Sequence, residues 1–498
     1  MGSVQGSRDC NYDVVIVGAG LSGINAAYRI QTELPGLTYT ILENRGAIGG
    51  TWDLFRYPGI RSDSDLHTFG FPWRPWLSSQ TIADGESICK YFKESAEEYG
   101  IDKKIQFHHN VTSADWSTEQ QQWTLAVDAG GRRSTTIKGR WIIWSTGYYD
   151  YSEPLKVEIP GLDNFKGKRI HPQFWPQDLD YTGKKIVVIG SGATAITLIP
   201  NLADKAAKVT MLQRSPSWIV GVPAQDSTGT FMRKYLPNWM ASQLIRWRFL
   251  VLPLLFFHFC RQFPSTACKL LRARTKKEIP SNVPIDPNFS PIYNPWEQRL
   301  CVCPDSDFFK CLHSGKADVV TDTIKTVTSS GIDLESGKSL DADIIITATG
   351  LKMQLAGGAK VSIDGVPYEY STKYMWKGMM LQDMPNAVTV IGYTNASWTL
   401  GADTTAGVLV RLLKHMRENH IVSAVPKVHG EKMVSQPILN LSSTYVEKAK
   451  GYMPMAGGRG PWKPRQNYLV DYWVAQYGNY TEELEFTAAG GAGFDKSQ

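Results

Sequence analysis

Three groups of residues have the types and spacing that chemistry needs. The first is Gly18-Ala19-Gly20-Leu21-Ser22-Gly23, which follows the β-branched run Asp13-Val14-Val15-Ile16-Val17 and precedes Ile24-Asn25-Ala26-Ala27-Tyr28-Arg29-Ile30. Strand, glycine turn and helix in that order bring free backbone N–H groups to a helix N-terminus, where they attract phosphate. Gly18 permits the tight turn, Gly20 lets a pyrophosphate approach the backbone, and Gly23 lets helix and strand pack closely. A second apolar strand over 38–42 ends at Glu43, twenty residues past Gly23. A carboxylate there accepts from a ribose 2′-hydroxyl and disfavours a 2′-phosphate, which points to FAD or NAD.

The second group repeats the first with one change. Lys185-Ile186-Val187-Val188-Ile189 runs into Gly190-Ser191-Gly192-Ala193-Thr194-Ala195, then an apolar helix and a strand over 209–212. At the position equivalent to Glu43, Gln213 is followed by Arg214, whose guanidinium pairs with a 2′-phosphate that a carboxylate would repel. Two nucleotide sites of opposite preference imply a flavoprotein reduced by NADPH. A disulfide reductase of this architecture would need CxxC beside the flavin. The nearest pair here, Cys301 and Cys303, is CxC, which suits neither a redox pair nor a zinc knuckle, and no metal is expected.

The third group is Phe165-Lys166-Gly167-Lys168-Arg169-Ile170-His171-Pro172-Gln173-Phe174-Trp175-Pro176. It matches FxGxxxHxxxW(P/D) at each fixed position. A second pattern, (A/G)GxWxxxx(F/Y)P(G/M)xxxD, is met by Gly49-Gly50-Thr51-Trp52, Tyr57-Pro58-Gly59 and Asp63. With both patterns the chain resembles the Baeyer-Villiger monooxygenases, a family of class B flavoprotein monooxygenases. The likeness extends through 294–301, 348–350 and 392–398 and is nearest to the subgroup that includes the ethionamide-activating monooxygenase.

The resemblance implies a reaction. NADPH reduces FAD, the reduced flavin takes up O2 as a C4a-peroxyflavin, and this attacks a ketone whose adduct rearranges to an ester or lactone. Thioether oxidation is implied as well. By the same resemblance Arg299 is the catalytic cation and Asp63 the acid that orients it. A guanidinium suits that role because it stays protonated in an apolar site. Gly50, Thr51, Trp52 and Asp63 are placed at the flavin, and Gly190, Gly192, Ala193, Thr194, Arg214 and Gln298 at NADP. Many relatives carry Lys where Gln298 stands, so Arg214 must supply more of the preference for NADPH. His171 is expected to act in domain coupling and Trp175 in packing. Asp63 also lies in Ser62-Asp63-Ser64-Asp65, where a helix N-cap is the competing role. The competing functions are an N-hydroxylating or sulfoxidising flavin monooxygenase, and a nucleotide-binding redox sensor that oxygenates nothing.

These residues need an α/β scaffold with two Rossmann-like units. The FAD unit is expected over 1–148 and 351–498, and the NADP unit over 149–222 and 291–350. Between them, 223–290 loses the βαβ rhythm and reads as a helical insertion lining the substrate cavity. The crossings near 148 and 350 make a natural hinge. A length of 498 residues, with 42% hydrophobic and 20% charged, excludes collagen, coiled coil and bulk disorder. The net charge of +6 reads as a small excess spread along the chain, which argues against a nucleic-acid partner.

Seven irregularly placed cysteines fit a reducing compartment. With no apolar signal core, and with Gly6 where a myristoylation site wants Ser or Thr, a cytoplasmic monomer or weak homo-oligomer is expected. The longest apolar stretch, 249–260, contains Pro253 and His258 and falls short of the roughly 20 residues of a membrane span. It reads as a buried helix or cavity wall. Peripheral membrane contact is the competing reading, because Arg246, Arg248 and Arg261 flank it.

Overall fold

The computed structural model describes residues 12–489 and 493–494, apart from 132, 133, 431, 432, 440, 442 and 466. The strand Tyr12–Val17 lies between Tyr39–Glu43 and Ser134–Trp144 and runs parallel to both. Val14, Val15 and Ile16 are fully buried, as a parallel strand covered on both faces requires. The sheet extends past Tyr39–Glu43 to Ile105–Phe107. On its other side it continues through the antiparallel strands Gln122–Ala129 and His109–Ser117 to Lys360–Ile363 and Val366–Pro367. Ala387–Thr389 also pairs with Ser134–Trp144. The helix Leu21–Glu33 packs on Trp398–Glu418, so the late part of the chain completes the unit begun by the first strand.

The second sheet has the order Ala317–Thr321, Lys208–Gln213, Lys185–Ile189, Ile344–Thr347, Lys168–Ile170, with every pairing parallel. The helix Ala193–Ala203 follows its central strand. This is the doubly Rossmann-like α/β class expected from the two glycine turns. The two connections between the sheets, Tyr149–Pro154 and Leu351–Met353, pair antiparallel with each other. The helices Ser227–Tyr235, Asn238–Gln262 and Pro264–Glu278 lie between Ile219–Val222 and Cys301–Pro304, two strands that pair in parallel and so close this excursion at its base.

The apolar stretch 249–260 departs from the expectation. It belongs to a helix of 25 residues, Asn238–Gln262, with Pro253 inside it. By length and composition that helix is long enough to cross a membrane. Nor is the stretch a buried one, since from 250 to 259 no residue is buried. Proline removes one helix donor, but Pro253 is exposed and water can satisfy the carbonyl left over. The helix is fixed to the first unit near its start. The Arg246 guanidinium is buried there and donates to the carbonyls of His67 at 2.8 Å and Gly70 at 2.9 Å.

Candidate active site

The helix Leu21–Glu33 begins at Gly20 with no side-chain cap and no acid in its first turn. Its free N–H groups and the positive end of its dipole are thus available to an anion. A Cβ on Gly20 would stand 3.6 Å from Gly50 Cα, so the two glycines pack backbone close to backbone beside the turn. At the end of the neighbouring strand, Glu43 Oε2 accepts from the Ala19 N–H at 2.7 Å and Oε1 from the Arg45 N–H at 2.8 Å. Burial pushes this carboxyl above its ordinary range, and the two backbone donors and Arg45 pull against that rise.

The turn, Glu43 and Gly50 line one cavity of about 310 Å³ that opens to solvent. Gly18, Thr51, Trp52, Asp63 and Arg299 line the same space. Asp63 and Arg299 meet side-on: Nε stands 3.1 Å from Oδ2, and the terminal NH2 donates to Oδ1 at 3.1 Å. The same NH2 donates to Ser64 Oγ at 3.2 Å. Both side chains are about one third exposed, 36% for Arg299 and 32% for Asp63. The N-cap role considered for Asp63 falls instead to Asp65, which accepts from the Thr68 N–H at 2.8 Å and caps Leu66–Phe69. Burial pushes the Asp65 carboxyl up to about 6.

Several lining residues had no role assigned from the sequence. Trp398 donates through Nε1 to Ser22 Oγ at 3.0 Å and stacks on Tyr148 with ring centroids 4.8 Å apart. The Thr51 and Tyr151 hydroxyls lie 2.9 Å apart. Trp398 ends the 392–398 segment that carried part of the family likeness, which was the available signal for it.

The second glycine turn stands apart. Gly190 has φ +134°, and a Cβ there would lie 2.3 Å from the Ala348 carbonyl oxygen. Gly192 is different, since a Cβ on it would meet nothing within 4 Å, and the helix that follows starts without a side-chain cap. Thr194, in the first turn of that helix, hydrogen-bonds the Tyr57 hydroxyl, whose pKa burial raises to about 12. Arg214 is exposed at the end of Lys208–Gln213. Gly190, Gly192, Ala193, Thr194, Arg214 and Gln298 do not line the first cavity, nor does Gly23, which is buried under its own turn.

His171 Nδ1 accepts from the Gln173 N–H at 3.3 Å. Burial lowers its pKa, against a hydrogen bond with the Gly350 backbone. Trp175 packs half-buried against the second sheet's core. No residue of the insertion 223–290 lines this first cavity. It reaches the site indirectly, through Phe257 set edge-on to Trp296 at 5.4 Å.

Comparison with known proteins agrees with this arrangement. Residues 16–79 match the NAD(P)-binding Rossmann-like domain, and residues 79–246 match the flavin-binding monooxygenase-like family. The FAD-containing monooxygenase EthA of Mycolicibacterium smegmatis is 46% identical over 479 residues, covering 96% of this chain and 97% of that protein. The chain belongs to the flavin-binding monooxygenase family. A second relative, the probable FAD-binding monooxygenase AlmA of Acinetobacter baylyi, is 44% identical over 461 residues, or 92% of each chain. The fold of this flavin monooxygenase is shared with the crystal structure of OTEMO in complex with FAD and NADP. That match has a TM-score of 0.73 and 19% identity, and covers 96% of this chain and 100% of that one.

Glu43 gives a pH test. Only its charged form can accept from a ribose diol with both oxygens, and burial has raised its pKa above the ordinary 4.5. Flavin retention should therefore fall as pH drops through that raised value, while Glu43→Gln should hold flavin weakly at every pH. Flavin released on acid titration, read by fluorescence after filtration, checks both outcomes. Release by the wild type and by Glu43→Gln with one pH profile would remove Glu43 from the site.

Proposed function

We propose that this flavin monooxygenase is an NADPH-dependent Baeyer-Villiger enzyme that converts ketones to esters or lactones with O2 and also oxidises thioethers. The observation carrying this reading is the side-on Arg299–Asp63 pair, which opens into the same cavity as the Gly18–Gly20 turn. We assign the FAD unit to 1–148 and 351–498, the NADP unit to 149–222 and 291–350, and the helical insertion to 223–290.

The residues present fit both nucleotides. FAD would lay its pyrophosphate at the Gly18–Gly20 turn, against the uncapped start of the helix Leu21–Glu33, and its ribose against Glu43. NADP would lay its pyrophosphate at Gly192, whose Cβ position is open, and its 2′-phosphate at Arg214. When bound, FAD supplies electron transfer from NADPH to O2 and with it the oxygenating equivalent.

The chain's own residues must then manage charge and water. Arg299 presents a fixed cation to the negative oxygen that builds up as the carbonyl is attacked. Asp63 holds the guanidinium through two contacts, which fixes its plane as a single contact would not. At about one third exposure the pair adds only about 0–1 kcal/mol to stability, so its worth lies in where it puts the charge. Trp52, Tyr148 and Trp398 give the cavity apolar walls, which lower the local dielectric and strengthen the cation's pull. The paired connections at 149–154 and 351–353 are the natural place for one unit to turn against the other. His171, bonded toward Gly350, is a positioning residue in that motion.

Purified enzyme supplied with NADPH, O2 and a ketone panel should yield esters by gas chromatography. Losing one fixed donor at such a site typically costs about 3–4 kcal/mol of transition-state stabilisation. Arg299→Ala should thus keep FAD but form almost no ester, and the NADPH that it oxidises should reappear as hydrogen peroxide. Asp63→Ala should lose less, because the cation remains. Ester formed by Arg299→Ala at the wild-type rate would show that another group supplies the charge.

For coenzyme choice, a charge-assisted contact contributes about 1.5–3 kcal/mol. Arg214→Ala should then raise the KM for NADPH at least roughly tenfold and leave that for NADH nearly unchanged. Equal losses with both coenzymes would place Arg214 away from the 2′-phosphate.

A further inference from the structure

The positive charge of this chain is not spread along it. Residues 227–277 contain ten Lys and Arg and no Asp or Glu, which leaves the rest of the chain net acidic. Arg248 pairs with Asp226 at 2.5 Å, Arg274 with Glu278 at 3.0 Å, and Arg272 with Asp286. Lys234, Arg261, Lys269, Lys276 and Lys277 have no acidic partner among the described residues.

The same segment is a helical hairpin. Asn238–Gln262 turns at Phe263 directly into Pro264–Glu278, and the two helices pack together. Around its tip the hairpin exposes large apolar side chains: Leu252 and Leu255 are each 59% exposed, Phe263 56%, and Phe256 is exposed as well. Burying these groups gains free energy from the hydrophobic effect, and no part of the described chain covers them.

Threading a bilayer is ruled out by geometry. Arg246 is buried against the first unit, so only the part of the helix beyond about 249 is free. Thirteen residues, 250–262, rise only about 20 Å at 1.5 Å each, short of a hydrocarbon core of about 30 Å. A pinned helix with an apolar tip and exposed bases suits the plane of an interface.

We propose that this hairpin docks the protein on an anionic lipid bilayer. Leu252, Leu255, Phe256 and Phe263 sit at the boundary between headgroups and acyl chains, and Arg261 and Lys269 meet the lipid phosphates. A second copy of the chain is the poorer occupant, because it would bring two basic hairpins face to face. A nucleic acid is poorer too, because it offers nothing to exposed leucines. The docked helix also carries Phe257, which packs edge-on to Trp296, three residues before Arg299. An apolar substrate leaving the bilayer would arrive beside the catalytic cation. Docking itself does not depend on the reaction assigned above.

The test is flotation of the flavin-loaded, full-length protein with phosphatidylcholine vesicles, with and without phosphatidylglycerol. The wild type should float with the anionic vesicles at low salt and be released by high salt. Leu255→Glu/Phe263→Glu should partition at least tenfold less while keeping its flavin and its NADPH oxidation with a water-soluble substrate. Arg261→Gln/Lys269→Gln leaves the apolar tip intact and should weaken anionic binding roughly fivefold per base removed, with little change on neutral vesicles. The proposal is overturned if the wild type stays with the soluble fraction, or if both double variants float as the wild type does. It is equally overturned if light scattering shows a dimer that the glutamate variant converts to monomer without any vesicle binding, or if the protein is retained by duplex DNA and not by vesicles.

Discussion

A guanidinium and a carboxylate 236 residues apart in the chain meet side-on at the wall of the cavity, and much of the architecture can be understood as what holds them there. Asp63 is fixed by the loop between the Gly49-Gly50 turn and the short helix that Asp65 caps. Arg299 is fixed from the other unit, where the Cys301 N–H donates to the Trp218 carbonyl at 2.9 Å and Cys301–Pro304 runs beside Ile219–Val222. Just before Arg299, Trp296 lies in the left-handed region at φ 71°, a conformation that a bulky residue keeps only where its surroundings impose it. Phe257 and the apolar cluster around Leu271, Trp218 and Leu300 supply those surroundings. The basic hairpin therefore braces the segment that carries the cation.

The two glycine turns solve one problem in two electrostatic settings. Each brings an uncapped helix N-terminus to a phosphate position, and each closes against backbone that a side chain would strike. They differ in the residue at the end of the second strand. Glu43 is buried and doubly hydrogen-bonded by backbone N–H groups, and its ionisation is held back by desolvation. A ligand diol would restore part of the solvation it has lost. Arg214 is exposed to solvent, where a phosphate can be exchanged readily. A buried acid for a resident nucleotide and an exposed base for one that comes and goes are consistent with the roles proposed for them.

The strand-turn-helix units and the fold class were legible because their signals are local: β-branched runs, glycine spacing and the acid or base that ends the next strand. The Arg299–Asp63 pairing was legible only through family likeness, because nothing within either segment refers to the other. Trp398 on Tyr148, and Tyr57 on Thr194, were not legible for the same reason. The apolar stretch 249–260 was misread for a different cause. Hydrophobicity marks a surface that avoids water but does not say what covers it, and here no residue from 250 to 259 is buried. The distribution of charge was readable by counting within segments instead of over the whole chain. The absence of acids from 227–277 stands in the sequence itself.

The central claim is that the cavity beside this ion pair transfers one atom of molecular oxygen into a carbonyl substrate. It is tested most directly by turnover of a ketone by the purified flavoprotein with NADPH under 18O2, with mass analysis of the product. The account predicts an ester or lactone carrying a single labelled atom at its ring or bridging oxygen, with the carbonyl oxygen unlabelled. Product without label, or consumption of NADPH that yields labelled hydrogen peroxide and no ester, would contradict it.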